Sequence, residues 1–253
     1  MAEGPVVHFF AEKLRNVLAG QPVDITFGIK RLKELGPSFS GVRISDVEAV
    51  GKQFRIHFED GRIVLVHLLM WGTWRIYDAG EKWDKPESRA RLIIRAPGTV
   101  AVAFSAPVIE VFENAEALVA SRWGDSGADP LNPDYVPSEA ARRIRREGSR
   151  PVGTVIMDQQ VIAGVGNILR NEILFLSGID PRRAVSSLEE GELMRILKWT
   201  RDLMERWLRN MGKEKNWLNV YQRSGQPCPR CGGTIEFFRQ NDRVTYVCPA
   251  CQR

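Results

Sequence analysis

The spacing of apolar residues divides the chain into a part with strand-like alternation and a part with helical periodicity. Residues 5–19 predict a helix, with Phe9, Leu14 and Leu18 on one stripe and Gly20 at its end. From about residue 23 to residue 113 the pattern changes to short alternating runs between turn residues, which is typical of a β-sandwich or barrel. These runs lie at residues 42–44, 54–58, 63–66, 74–76 and 92–94.

The second half of the chain has a helical pattern. Residues 124–137 are rich in glycine, aspartate and proline and predict a linker. Beyond the linker, Ser187 stands three residues before Glu190, which is the spacing of a capping box at the start of a long helix. The predicted helices lie at residues 138–147, 158–162, 168–177 and 188–210.

The composition is that of a chain that can bury a core. Of its 253 residues 43% are hydrophobic, and no apolar run approaches the ~20 residues of a membrane span, so we expect no membrane partner. We predict an α+β, multi-domain chain. Its parts are an N-terminal β-sandwich with a leading helix over residues 1–124, a helical domain over 125–213 and a C-terminal hairpin module over 214–253.

The formal net charge of +5 includes a local concentration of arginine. Arginine suits phosphate groups because its planar guanidinium donates two hydrogen bonds at once. A solvated helical face would have the same pattern, so both interpretations stay open. The arginines concerned are Arg142, Arg143, Arg145, Arg146 and Arg150, followed by Arg182, Arg183, Arg223, Arg230, Arg239 and Arg243.

All four cysteines lie near the end of the chain, as Cys228-Pro-Arg-Cys231 and Cys248-Pro-Ala-Cys251. Two such pairs joined by a hairpin supply the four sulfur ligands of one structural zinc ion. Strands are predicted at residues 234–238 and 243–247, with a turn at residues 240–242. A pair of disulfides is the alternative. Zinc is favoured because the chain has no other cysteine and no signal peptide, as expected in a reducing cytosol.

A glycine turn precedes the predicted helix at residues 168–177. Gly164 and Gly166 allow a tight turn whose backbone N–H groups face outward, ahead of a helix that begins near Asn167. Such a turn can bind a phosphate, and the Asn167 amide would add a donor. An ordinary corner between two helices is the alternative, since a single Gly-x-Gly is a weak signal.

In combination these motifs resemble the formamidopyrimidine-DNA glycosylase/endonuclease VIII family of base-excision repair enzymes. The shared features, in chain order, are Ala2-Glu3-Gly4-Pro5, Gly51-Lys52, the turn before Asn167, Val220–Gly225, and the cysteine hairpin ending in Gln252. The resemblance covers essentially the whole length. It implies a β-sandwich, a helix–two-turn–helix domain and a zinc hairpin. It also implies a bifunctional DNA glycosylase with AP lyase activity, which removes an oxidised base and cleaves the abasic site by β,δ-elimination.

The resemblance implies a role for each matching residue. After removal of Met1, the amine of Ala2 would attack C1′ and form a Schiff base, where the family has proline. Glu3 would assist ring opening by proton transfer, and Lys52 would contact phosphate near the lesion and assist proton transfers. Arg243 would grip the phosphates flanking the damaged nucleotide, together with Asn167 and the turn at Gly166. Considered alone, Glu3 fits a helix N-terminal acid and Lys52 a solvated lysine.

A further match concerns the hole that an extruded base leaves in the duplex. Leu69, Met70 and Trp71 match the family's inserted loop and would act as an apolar wedge, whereas Leu68 and Trp74 are expected to be buried. Members specific for formamidopyrimidine carry a second inserted pair, an arginine and an aromatic residue, on a longer loop. Residues 97–107 are interpreted here as a short loop without arginine. This favours the endonuclease VIII branch, whose usual substrates are oxidised pyrimidines.

Alternative functions stay open at this point. Ala2 in place of proline is compatible with a catalytically impaired protein that binds damaged DNA, and an 8-oxoguanine-directed glycosylase of the other branch is a second alternative. A zinc-ribbon RNA-binding protein is disfavoured by the order of the motifs. The expected partner is double-stranded DNA with damaged bases or abasic sites. We expect a monomer in the cytoplasm of a bacterium or archaeon, associated with the nucleoid.

Overall fold

The computed structural model describes residues 2–211 and 217–253, and contacts between residues group them into two compact units. The first unit runs from Val6 to Asp125 and includes Ala2; the second contains Glu3–Pro5 and Ser126–Arg253. The boundary at Asp125 falls within the predicted linker. The cysteine hairpin groups with the helical unit, and its separation as a third domain stays a prediction.

The leading helix is confirmed with a corrected buried face. Helix α1 (Gly4–Leu18) is followed by Gly20, whose φ of +74° suits glycine. Leu14 and Leu18 are buried as predicted, but Phe9 is only half-buried because residues 9 and 14 do not share a helical face. Val7 occupies the buried stripe instead.

The first unit contains an eight-stranded sheet in which all pairings are antiparallel, with the order β5-β7-β6-β1-β2-β3-β4-β8. Each predicted run lies inside a strand, and three further strands, β1, β7 and β8, complete the sheet. The strands are β1 (Pro22–Phe27), β2 (Val42–Val50), β3 (Gln53–Phe58), β4 (Ile63–His67), β5 (Thr73–Asp78), β6 (Ala90–Ala96), β7 (Thr99–Phe104) and β8 (Val108–Phe112).

This sheet folds into two layers around one core, which confirms the predicted β-sandwich. Strands β1 and β2 pair only through Pro22↔Arg43 and Val23↔Val42, so the sheet bends there. Phe54 on β3 and Trp74 on β5 belong to different layers, yet their ring centroids lie 5.8 Å apart. Helix α2 (Ala115–Val119) packs on the outside through Leu118, and short 3₁₀ helices form at Lys30–Phe39 and Glu87–Arg89.

The interpretation of residues 97–107 as a loop is wrong. Most of this segment is strand β7, which pairs with β5 on one side and β6 on the other. Its residues from Ala101 to Phe104 are all buried, so the apolar run is continuous and lacks the alternation that identifies a half-exposed strand. Only residues 105–107 connect β7 to β8, and they contain no arginine.

The helical unit is built from α3 (Pro137–Arg145), α4 (Val152–Val155), α5 (Asn167–Ser177) and α6 (Glu190–Arg209), which confirms three of the predicted helices. The predicted helix at residues 158–162 is wrong, because this segment is a turn. The Gln159 side chain builds the turn by donating to the carbonyls of Met157 (2.7 Å) and Val165 (2.9 Å). It also accepts the N–H of Gly164 at 3.0 Å.

The predicted capping box lies two residues too early. Residues Val185–Ser187 form a 3₁₀ helix, and the box at the start of α6 joins Glu189 to Glu192, whose carboxylate accepts the Glu189 N–H at 2.9 Å. None of the described helices combines the length and apolar character of a membrane span.

The C-terminal hairpin has the predicted form, with β9 (Glu236–Gln240) beginning two residues later than expected and β10 (Arg243–Val247) matching its predicted bounds. Asn241 and Asp242 form the two-residue turn, with φ of +49° and +57°. Positive φ at both positions is the geometry of a type I′ hairpin, which asparagine and aspartate tolerate well.

Candidate functional site

Glu3 closes the N-terminus of α5 and is fully buried. Its Oε1 accepts the N–H of Ile168 at 2.8 Å, and its Oε2 accepts those of Leu169 at 3.1 Å and Gly166 at 3.2 Å. The first N–H groups of a helix have no partner within the helix and carry its positive dipole end, so a carboxylate is favoured there. Glu3 therefore has a fixed orientation and a surrounding that favours negative charge.

Glycine is required on both sides of this contact. The Gly4 N–H donates to the Gly164 carbonyl at 2.8 Å, and a Cβ on Gly4 would lie 2.9 Å from the Gly164 Cα. A Cβ on Gly166 would lie 2.6 Å from the Glu3 carboxyl carbon. The absence of side chains at Gly4 and Gly166 thus lets the chain segment around Glu3 pack against the turn. The sequence predicted that its N–H groups face outward for a phosphate, whereas those of Gly166, Ile168 and Leu169 donate to Glu3.

The polar face of α5 fixes strand β10. The Asn167 amide donates to the Val244 carbonyl at 3.1 Å, and Arg170 donates to the same carbonyl at 3.2 Å and to the Asn167 side-chain oxygen. Asn171 accepts the N–H of Tyr246. Val244 directly follows Arg243, which is exposed, so α5 determines where the Arg243 side chain leaves the hairpin.

Arg170 is a fully buried cation within this network. Burial, with a smaller contribution from the positive charge of Arg243, lowers its pKa to about 10, while the charge of Glu3 acts in the opposite direction. The guanidinium is therefore still protonated at neutral pH. Its charge couples electrostatically to two of the residues that the sequence singled out, Glu3 and Arg243.

Glu172, also fully buried, anchors the segment that leads to the cysteine hairpin. Its Oε1 accepts the N–H groups of Val220 and Tyr221, both at 2.9 Å. Its Oε2 accepts the backbone N–H of Asn219 at 2.8 Å and the Asn219 side-chain amide at 2.9 Å. One carboxylate thus satisfies four donors and ties this segment to α5.

The four cysteines form a metal centre. Their sulfur atoms all lie within 4.8 Å of one another, with Cys228 and Cys251 at 3.9 Å and Cys231 and Cys248 at 3.6 Å. Tetrahedral zinc with Zn–S bonds of about 2.3 Å needs sulfurs about 3.8 Å apart, so the donor set fits one zinc ion. The cofactor prediction is confirmed. Gln252 is buried and accepts the Cys248 N–H, and this hydrogen bond holds the backbone of one metal ligand in place.

In the first unit the structure brings Ala2 to the predicted wedge. The Ala2 N–H donates to the Leu69 carbonyl at 3.4 Å. Leu69, Met70 and Trp71 are exposed, Trp71 by 80%, whereas Leu68 and Trp74 are buried as expected. Large apolar side chains that stand in solvent at one loop are suited to insertion between base pairs.

Lys52 lies beside His67, which stands two residues before the wedge. Burial, together with the smaller effect of the Lys52 charge, lowers the pKa of His67 to about 4. His67 is thus neutral at physiological pH. Gly51, immediately before Lys52, has a φ of +56°, so the chain turns sharply as it enters β3.

The sequence did not indicate the contacts of five residues, which only the fold reveals: Gly4, His67, Arg170, Asn171 and Glu172. One signal was present, since polar residues at positions 167, 170 and 171 recur at helical spacing on a helix that is otherwise apolar. This spacing marks a polar contact face. The partner strand, more than 70 residues away, was not deducible.

The arginine cluster is largely used within the protein. Arg145 donates to the carbonyl of Leu188 at 2.6 Å, and Arg150 pairs with Glu147 and Asp158. Of the cluster, Arg142 and Arg146 are exposed and available as a phosphate-binding surface. The other arginines with intramolecular partners include Arg143, Arg182, Arg183, Arg223 and Arg230.

Three family models match successive parts of the chain. They describe the formamidopyrimidine-DNA glycosylase N-terminal domain (residues 1–107), the formamidopyrimidine-DNA glycosylase H2TH domain (residues 126–216) and a zinc finger found in this glycosylase and in IleRS (residues 225–253). Together they follow the two-unit architecture and the metal centre.

Relatives and solved structures agree with these models. A probable endonuclease 8 of Streptomyces coelicolor is 32% identical over 100% of this chain and 94% of its own. A DNA-(apurinic or apyrimidinic site) lyase, Nei2, of Mycolicibacterium smegmatis is 33% identical over 100% and 99%. A Lactococcus lactis formamidopyrimidine-DNA glycosylase, bound to DNA containing an AP site, has the same fold, with a TM-score of 0.86, 22% identity and complete coverage of both chains. The chain therefore belongs to the formamidopyrimidine-DNA glycosylase/endonuclease VIII family.

Proposed function

We propose that the protein is a bifunctional DNA glycosylase with AP lyase activity, acting in base-excision repair. The observation that carries the proposal is the buried Glu3 carboxylate, which three N–H groups hold in place one residue after Ala2. The relatives named as endonuclease 8 and as an abasic-site lyase support the same activity.

The reaction begins at the amine of Ala2 after removal of Met1. Its lone pair attacks C1′ while the bond from C1′ to the damaged base breaks, and the base departs as an anion that takes a proton from solvent. Glu3 accepts the proton that the attacking amine loses and transfers it to the ring oxygen as the bond from C1′ to that oxygen breaks, which leaves a protonated imine between Ala2 and C1′. The imine accepts the electron pair released when a 2′ proton is removed, and the 3′ phosphate leaves. A second elimination releases the 5′ phosphate.

DNA binding is assigned to the cationic and polar residues of both units. Arg243 and Asn167 would contact the phosphates that flank the lesion, with the Gly166 turn beside them and Lys52 at the abasic sugar. The zinc centre supplies rigidity to the hairpin that carries Arg243 and takes no part in the chemistry. Leu69, Met70 and Trp71 would fill the space left by the extruded base. The expected partner is damaged double-stranded DNA, bound by a monomer.

We further propose oxidised pyrimidines as the preferred substrates. The connection of only three residues between β7 and β8 has no room for an inserted arginine–aromatic pair. A lesion panel tests this point, and excision of thymine glycol or a hydantoin should exceed excision of 8-oxoguanine opposite cytosine. Comparable or faster 8-oxoguanine excision would assign the protein to the other branch of the family. Its bacterial relatives support a cytoplasmic, nucleoid-associated location.

Borohydride trapping on an abasic duplex tests the enzyme directly. We expect a covalent adduct whose mass spectrum places the reduced bond at Ala2, with Met1 absent. Glu3→Gln should abolish formation of the trapped adduct, and Glu205→Gln, the same change at a surface ion pair, serves as the matched control. An adduct at Lys52 would displace Ala2 as the nucleophile. Tight binding of abasic DNA without any adduct would instead indicate a damage-binding protein that has lost catalysis.

A further inference from the structure

We propose that His67 is a positioning residue that holds the wedge loop, Leu69-Met70-Trp71, in a left-handed turn and thereby sets the position of the Ala2 amine. The proposal rests on the proposed function, because the amine matters only as a nucleophile. It assigns His67 a role through the backbone of Leu69, separate from any contact that its ring makes with DNA.

The first observation is the backbone of Leu69. Its φ of +47° lies in the left-handed region, which a side chain branched at Cγ enters only when its surroundings impose it. Leu69 is 46% exposed, so packing of its own side chain does not supply the constraint. The constraint must come from the backbone groups of the loop and from the residues that flank it.

Two hydrogen bonds supply that constraint. The Leu69 N–H donates to Nδ1 of His67 at 3.1 Å, and the Gly72 N–H donates to the Leu68 carbonyl at 2.9 Å. Gly72 has no space for a Cβ, which would lie 2.7 Å from the same carbonyl, so the loop closes tightly on the buried Leu68. His67 is the part of this closure that acts directly on the strained residue.

His67 is suited to accept this bond. It ends strand β4, where Gln53 and Val108 pair with it on either side, and its ring lies 5.8 Å from that of Trp123. An imidazole accepts at Nδ1 only when that nitrogen carries no proton, and the lowered pKa of His67 keeps the ring neutral near pH 7. The strand and the tryptophan fix the direction of the ring.

The same loop residue contacts the nucleophile. The Leu69 carbonyl accepts the N–H of Ala2 at 3.4 Å, a long contact that a small rotation of the loop would break or tighten. A continuous path thus leads from His67 Nδ1 to the Leu69 N–H, through the Cα of Leu69 to its carbonyl, and from that carbonyl to the Ala2 nitrogen. Insertion of the wedge and placement of the amine are therefore linked through one residue.

The test compares variants that separate the loop role from a DNA contact. His67→Asn places a side-chain oxygen where it can accept the N–H two residues later, as in an Asx turn, but it lacks the distal ring nitrogen. His67→Leu removes the acceptor. In single-turnover trapping on a preformed abasic duplex, we expect His67→Leu to slow adduct formation at least tenfold, with less than a threefold change in Kd. His67→Asn should remain within threefold of the wild type.

Glycine at position 69 provides the second arm, because it adopts positive φ without strain. In a Leu69→Gly background, His67→Leu should slow trapping by less than threefold. Amide hydrogen exchange gives a readout independent of activity, and the Leu69 amide should exchange at least tenfold faster in His67→Leu than in His67→Asn.

Three results would overturn the proposal. Equal impairment of His67→Asn and His67→Leu would show that the ring acts on DNA, and an undiminished His67 effect in the glycine background would show that loop shape is not involved. Equal exchange rates of the Leu69 amide in His67→Leu and His67→Asn would show that the His67 hydrogen bond does not protect this amide. If the wild-type protein forms no adduct at all, the proposed function fails, whereas the exchange data still decide whether His67 holds the loop.

Discussion

Replacing Glu172 by glutamine should destabilise the helical unit strongly, although the change removes only one negative charge. In the wild type two carboxylate oxygens accept four donors from residues 219–221. A glutamine has one oxygen, and its NH₂ group would face two of these donors. The least costly arrangement keeps Val220 and Tyr221 on the oxygen and turns the NH₂ toward Asn219, whose side chain can rotate away. The backbone N–H of Asn219 is then left without an acceptor.

The magnitude follows from these contacts. An N–H without a partner costs about 1–3 kcal/mol, and the two remaining bonds lose the charged acceptor that strengthened them, at about 0.5–1 kcal/mol each. We expect a loss of about 3 kcal/mol in the free energy of unfolding of this segment. At 1.4 kcal/mol per factor of ten, the amides of Val220 and Tyr221 should exchange roughly 100-fold faster.

The matched control is Glu205→Gln, which breaks surface pairs with Arg201 at 2.7 Å and Arg209 at 3.4 Å. Exposed pairs at this spacing contribute about 0.3–0.5 kcal/mol each, so the control should lose less than about 1 kcal/mol. Both variants are compared with zinc bound, by urea denaturation and by hydrogen exchange of residues 217–222. If Glu172→Gln lies within about 0.5 kcal/mol of the control, the argument from buried donors is refuted.

Three further outcomes are expected. Cys248→Ser with Cys251→Ser should lose zinc and tight duplex binding, because the hairpin is too small to fold without metal, while circular dichroism shows the N-terminal sandwich intact; retained tight binding would contradict this. Ala2→Pro should raise strand cleavage relative to base release, and flatten its pH dependence, because a proline iminium is charged without protonation; equal ratios on denaturing gels would count against it. The His67 ring should titrate near pH 4 by NMR, and since its folded pKa lies below the unfolded value of about 6.5, its contribution of about 3 kcal/mol is complete above pH 6.5 and is lost as the pH falls toward 4. A His67 pKa near 6.5 would contradict the burial argument.

The parts of the fold that the sequence predicted are those with local causes. The metal centre depends on two short cysteine spacings, and the hairpin turn depends on two residues that tolerate positive φ. Strand β7 was not predicted, because burial on both faces removes the alternation of apolar and polar residues. The turn at residues 158–162 was not predicted either, because the side chain of Gln159 replaces the backbone hydrogen bonds that would have continued a helix.

The candidate site divides in the same way. Glu3 was identified from resemblance at the start of the chain, but its contact with Gly166 spans 163 positions in the sequence. A Gly-x-Gly turn has the same local pattern whether a phosphate or a carboxylate occupies it, because both are anions at a helix N-terminus. The contacts of Arg170 and Glu172 could not be predicted either, since their hydrogen-bond partners lie 74 and 48 residues away in the sequence.

The burial of Glu3 also limits how many residues can precede it in an active protein. Its side chain is fixed on α5, so only one residue of chain separates this anchor from the proposed nucleophile, the nitrogen of Ala2. An additional residue extends the chain by about 3.5 Å, which equals the whole separation of reacting atoms in a productive complex. In the proposed mechanism, a chain that keeps Met1 therefore holds its amine too far from C1′ to react, although the amine itself is a competent nucleophile. The fraction of competent molecules in a preparation should equal the fraction with a processed N-terminus, and an active-site titration should agree with N-terminal mass spectrometry rather than with total protein.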